Sequence, residues 1–145
     1  MSTTRVLTFG TFDHFHDGHA FYLSEAKKYG DELIVVIARD ETVKAIKGAD
    51  PDFGEKLRKK AVEASGIATT VVLGDKSDKY KVIKKYKPTT IALGYDQYAF
   101  TQRLQKFLID EGLNTNIVRI DSYKPTEYKS SIIKAKLKRN AETQE

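Results

Sequence analysis

Apolar residues in this chain fall into short unbroken runs, separated by longer stretches in which they recur every three or four positions. The run Leu33-Ile34-Val35-Val36-Ile37 shows no alternation, as expected of a strand covered on both faces. Five such runs, at 5–9, 32–38, 69–73, 90–93 and 116–120, predict strands. The amphipathic stretches predict helices near 18–29, 41–46, 55–65, 79–86, 102–111 and 130–139. In the first of these, Ala20, Leu23 and Ala26 give an inward stripe, and Gly30 is expected to close the helix. Gly48, Pro51 and Gly54 break both periods, so 47–54 is predicted to be a mobile loop.

Strand and helix alternate throughout, the pattern of βαβ units around a parallel sheet. The expected fold is α/β, a single Rossmann-like domain in which helices cover both faces of a five-stranded parallel sheet. At 145 residues the whole span, 1–145, fits one domain large enough to bury a core. There are no cysteines, which excludes disulfides and thiolate metal sites. A polar start with no signal peptide, and a longest strongly apolar run of only 33–38, predict a cytoplasmic protein without a membrane partner.

The formal charge of +5 would suggest nucleic acid if it were spread over the chain. It is not. Between 124 and 139, Lys124, Lys129, Lys134, Lys136, Lys138 and Arg139 stand against Glu127, so this tail alone carries +5 and the rest is neutral. A solvated helix face explains such a tail more simply than RNA binding does, and no nucleic-acid partner is expected.

All three histidines lie in Phe9-Gly10-Thr11-Phe12-Asp13-His14-Phe15-His16-Asp17-Gly18-His19, directly after the first apolar run. In an open parallel sheet, ligands bind beyond the carboxyl ends of strands where strand order reverses, so the end of strand one is the natural site. Gly10 permits a close backbone turn, and Thr11 adds a hydroxyl beside the amides that open the helix. His16 and His19, three residues apart, project to one side at the positive helix end. Together they form an anion site. Asp13 and Asp17 are expected to cap the helix start. A zinc site built from Asp13, His14, His16 and His19 matches no familiar spacing, so no protein metal site is expected.

His16-Asp17-Gly18-His19 resembles the HxGH signature of the nucleotidyltransferase superfamily, and further segments resemble its cytidylyltransferase-like members. These are Arg39-Asp40-Glu41-Thr42-Val43, Lys47-Gly48, Arg58, Leu93-Gly94-Tyr95-Asp96 and Lys129-Ser130-Ser131-Ile132-Ile133. The resemblance implies that His16, His19 and Lys47 are catalytic, with Lys47 acting from a flexible loop. It implies a nucleotide-binding set of Phe9, Gly10, Thr11, Phe12, Asp17, Gly18, Asp96, Tyr128, Ser130 and Ser131. Lys44 would meet a substrate phosphate, and Arg58 would either do the same or brace the site. Mg2+ or another divalent cation would accompany the nucleotide, and a homodimer is the family's common assembly. His14 stands where the family usually places an aliphatic residue, and is read as a packing or surface variation.

The acceptor is read from finer resemblances. Ser65-Gly66-Ile67-Ala68-Thr69 and Lys124-Pro125-Thr126-Glu127-Tyr128 depart from glycerol-3-phosphate cytidylyltransferases, which counts against CTP. The segments around Asp40 and Asp96 look like those of archaeal FAD synthetases, which implies transfer of AMP from ATP to FMN. Tyr95, Tyr98, Phe100 and Phe53 would offer a flavin stacking surfaces. Heptose-1-phosphate adenylyltransferases share several of the same features. Outside catalysis, a nucleotide-binding module, or an RNA-binding relative of the class I aminoacyl-tRNA synthetases, would also carry such histidines.

Overall fold

The computed structural model of the chain describes residues 4–78, 80–94 and 98–121, with the backbone alone at 98–100. Five strands alternate with five helices: β1 (Arg5–Gly10), α1 (Asp17–Lys27), β2 (Glu32–Ile37), α2 (Asp40–Lys47), α3 (Glu55–Ala64), β3 (Thr70–Leu73), α4 (Lys81–Tyr86), β4 (Thr90–Gly94), α5 (Tyr98–Asp110) and β5 (Asn116–Ile120). All strand pairs are parallel, in the order β3-β2-β1-β4-β5. The chain builds outward from β1 to β3, then crosses back to place β4 on the other side of β1. Strand order therefore reverses between β1 and β4, which opens the binding crevice beyond their carboxyl ends.

Side chains along each strand alternate between two cores. Val6, Leu33, Val35, Ile37 and Ala92 pack with Leu23 and Ala26 of α1 and Val62 of α3. Leu7, Ile34, Val36, Ile91 and Leu93 pack with Val82 and Ile83 of α4 and with Leu104 and Leu108 of α5. Two filled faces explain the unbroken apolar runs.

Element ends differ from the sequence expectation in ways that matter locally. The first helix stops at Lys27, and Gly30 is no helix cap: a Cβ there would come within 2.8 Å of Val6 Cγ2, so glycine is required for the close passage over β1. Its inward stripe is Leu23 and Ala26, with Ala20 only half-buried. The fifth helix begins four residues earlier than expected, at Tyr98. Lys47 belongs to no loop but is the last residue of α2, which Gly48 closes in the left-handed conformation at φ 80°. The helix expected at 130–139 lies outside the described residues.

Thr8, at the centre of β1, is fully buried and its hydroxyl has no hydrogen-bond partner among the described residues. Desolvating a hydroxyl without compensation is unfavourable. Replacing Thr8 with valine, of nearly the same shape, is expected to raise unfolding free energy by about 1 kcal/mol. An upward shift of the urea midpoint at unchanged slope is the measure of it.

Candidate functional site

At the carboxyl end of β1 the chain turns sharply twice. Phe12 (φ 56°) and His14 (φ 53°) both adopt the left-handed conformation, which costs a residue with a Cβ about 1 kcal/mol or more. Surrounding contacts hold each bend. The Phe12 ring is buried against Phe15, His19 and Tyr22, and it fills the space where a side chain on Gly10 would stand, 2.6 Å from a Cβ placed there. Gly10 is thus needed for the ring that packs beside His19. Tyr22 in turn donates its hydroxyl to the Ala92 carbonyl (2.9 Å), fixing α1 across β4 at the crevice.

The two signature histidines cap the helix themselves. The Gly18 amide donates to His16 Nδ1 (3.0 Å) and the His16 amide donates to His19 Nδ1 (3.2 Å), a reciprocal capping box in which His16 is the N-cap. Their rings stack with centroids 3.9 Å apart. Asp17 instead opens the helix as its first residue, exposed and favourable to the dipole. Because each Nδ1 accepts an amide proton, each neutral ring carries its own proton on Nε2. Two amides at the helix start, those of His16 and Gly18, are thus taken up by the imidazoles, and each neutral imidazole presents an Nε2–H donor there.

Asp13 does not cap α1 either. Its carboxylate accepts the amides of Asp52 (2.7 Å) and Phe53 (3.0 Å), across to the connection between α2 and α3. Burial pushes the carboxyl up, but those two amides, with His14 and Arg58 nearby, outweigh it and hold Asp13 below its ordinary value. His14 Nε2 lies 2.6 Å from Asp52 Oδ2, and its ring rests on Phe53 with centroids 4.5 Å apart. The bond to Asp52 raises the imidazole above its ordinary value, despite slight opposition from burial. Asp13, His14, His16 and His19 do not converge as a zinc set. Among the described residues the cluster with ligand-type atoms in mutual reach is Asp13, His14 and Asp52, within 4.8 Å of one another, and its atoms bond to each other and to backbone amides.

Of the two roles expected of Arg58, the geometry supports the brace. The side chain is buried, with Nε donating to the Phe53 carbonyl (2.8 Å), Nη1 to the Thr11 carbonyl (2.9 Å) and Nη2 to Asp40 Oδ1 (2.6 Å). These contacts place Arg58 as a brace rather than as an open phosphate ligand. It ties together the turn after β1, the start of α2 and the turn that leads into α3. Glu55 reinforces the junction by accepting the Asp40 amide (2.8 Å) and pairing with Arg39 Nη1 (3.0 Å), while Arg39 Nε donates to the Gly74 carbonyl (2.6 Å). The Asp40 amide and Arg39 overcome burial and hold Glu55 below its usual value. Sequence reasoning passed over Glu55 and Asp52, and read Asp13 as a local cap. Nothing in a local pattern marks carboxylates whose partners lie up to 40 residues away.

Lys44 and Lys47, three residues apart on α2, are exposed, and neither ammonium meets another described residue. Phe9 lies half-buried near the end of β1, and Gly18 is buried in the first turn of α1. Asp96, Tyr128, Ser130 and Ser131 lie outside the described residues, as does Tyr95. Of Tyr98 and Phe100 only the backbone, in the first turn of α5, is described. Asp96 follows β4 by two residues in the sequence.

A parallel sheet with its crevice between β1 and β4, and an HxGH helix start at that crevice, define a Rossmann-like nucleotidyltransferase fold. Residues 7–136 match the family described as cytidylyltransferase-like, and the chain belongs to that family. Among its relatives is the FAD synthase of Methanococcoides burtonii, 41% identical over 98% of this chain and 99% of that protein. The FAD synthase of Archaeoglobus profundus is 44% identical over 88% of this chain and 81% of its own length. In structure, the chain resembles a protein of Thermoplasma volcanium described as a lipopolysaccharide core biosynthesis protein. Its TM-score is 0.79 and its identity 39%, covering 85% of this chain and all of the other. No helix among the described residues is long and apolar enough to cross a membrane.

Proposed function

We propose that this protein transfers the AMP part of ATP to the phosphate of FMN, yielding FAD and pyrophosphate. The observation that carries this reading is identity of 41–44% to archaeal FAD synthases over most of the chain. An oxygen of the acceptor phosphate attacks the α-phosphorus, a new P–O bond forms, and the bond to the bridging oxygen of the β-phosphate breaks. The acceptor needs no base, because the second ionisation of a phosphate monoester lies near pH ~6. Catalysis is then a matter of position and charge.

The Nε2–H groups of His16 and His19 donate to oxygens around the α-phosphorus, where negative charge grows in the transition state. Lys47 adds its cation from the end of α2, with Lys44 beside it for the acceptor phosphate. Phe9, Gly10, Thr11, Phe12, Asp17 and Gly18 shape the ATP side of the crevice. Asp96 serves the nucleoside, and Tyr128, Ser130 and Ser131 serve the β- and γ-phosphates. Mg2+ enters bound to ATP as part of the substrate and neutralises the triphosphate.

A sugar-phosphate acceptor is the second reading, favoured by the 39% identity to the lipopolysaccharide core biosynthesis protein. Incubation with MgATP and FMN, followed by chromatography, is expected to show FAD and pyrophosphate. A product from ATP and a sugar 1-phosphate without FAD would overturn the flavin reading, as would CDP-glycerol from CTP and glycerol 3-phosphate.

A further inference from the structure

His14 is the residue at which the HxGH segment departs from its family, and none of the proposed chemistry uses it. It is nonetheless held in a strained left-handed backbone that aims its ring at Asp52 and Phe53. Three other ties converge on those two residues: the paired bonds from their amides to Asp13, and the bond from Arg58 to the Phe53 carbonyl. The turn so held, 48–54, begins where α2 ends at Lys47.

We propose that His14 is a positioning residue, a clasp that holds the 48–54 turn against the signature loop and so sets Lys44 and Lys47 for the acceptor phosphate. The inference rests on the transfer reaction proposed above. An exposed ion pair is weak by itself. Here its leverage comes from sharing its anchor points with Asp13 and Arg58, so that one imidazole completes a junction otherwise made of fixed backbone bonds.

The clasp is sensitive to pH. The charged groups facing His14 are Asp13 on its own loop and Asp52 on the opposing turn, both favouring imidazolium, with Arg58 beyond Asp13. The folded protein holds the His14 proton more tightly than an open loop would, its value lying above 6.5. The junction is therefore at full strength below that pH and slackens as pH rises through the raised ionisation. If only the clasped form takes the acceptor well, the apparent affinity falls with its population.

His14→Leu restores the aliphatic residue the family usually carries and removes the clasp. It is expected to raise the KM for FMN about fivefold at neutral pH, with kcat within about twofold. It should also abolish the alkaline rise in KM expected of the native chain. The acid limb, set by the FMN phosphate near pH ~6, should persist in both. Asp52→Asn keeps the shape of the partner but removes its charge, so it should move the alkaline limb to lower pH. Independently of turnover, the Asp52 and Phe53 amide resonances of the ligand-free protein should titrate with the midpoint of the His14 ring. A pH profile for His14→Leu that superimposes on the native one would overturn the proposal. So would amide resonances that ignore the His14 titration. Failure of the native protein to make FAD would instead count against the flavin reading, with the amide titration still deciding the clasp.

Discussion

Asparagine in place of His19 is expected to lower kcat by about 10²–10³-fold, the usual cost of losing one donor to a developing oxyanion. The fold should survive. Asparagine is chosen because its Oδ1 stands in for Nδ1 and can accept the His16 amide, so the capping box is kept while the Nε2–H donor is lost. His16→Asn should behave in the same way, since asparagine is itself a favoured N-cap and can take the Gly18 amide. Alanine at either position removes cap and donor together, adding a stability loss of about 1 kcal/mol. Comparing the asparagine and alanine variants by kcat and by urea midpoint separates the two duties of each ring. Near-native kcat in both asparagine variants would mean that the histidines only cap a helix.

The capping role of those rings could not be read from the sequence. The spacing of His16 and His19 showed that the two would share a side at a helix start, and that much requires only the period of the helix. Which nitrogen faces the backbone depends on the turn at Phe12 to His14, and no local propensity favours two left-handed residues with side chains there. The sheet was more legible. Five parallel strands with helices on both faces followed from unbroken apolar runs, because burial on two faces removes alternation. The placement of Gly30 and Arg58 was hidden for one shared reason. Each answers to a partner distant in the chain, Val6 for the glycine and Thr11, Asp40 and Phe53 for the arginine.

Replacing Arg58 with methionine is expected to destabilise the protein by about 3 kcal/mol, the larger part coming from two carbonyls that lose their donor at about 1–3 kcal/mol each. The ion pair with Asp40 contributes less. Arg58 is fully buried there, but the Asp40 carboxylate is 44% exposed and can turn to water when its partner goes, so solvent screens most of what a buried pair would be worth. Methionine fills much of the aliphatic volume and leaves little cavity, which keeps the measured loss close to the hydrogen-bond contribution. Lysine at this position should recover only part of it. One ammonium cannot reach three acceptors that a planar guanidinium meets in three directions. The lost bonds also join the signature loop to the start of α2 and to Phe53, so activity should fall by about tenfold even where the variant remains folded, because the signature loop and the two ends of the α2 segment are held together less well. Urea unfolding gives the first quantity, and turnover well below the unfolding midpoint gives the second. A methionine variant as stable and as active as the native chain would show that the three bonds close no junction the site depends on.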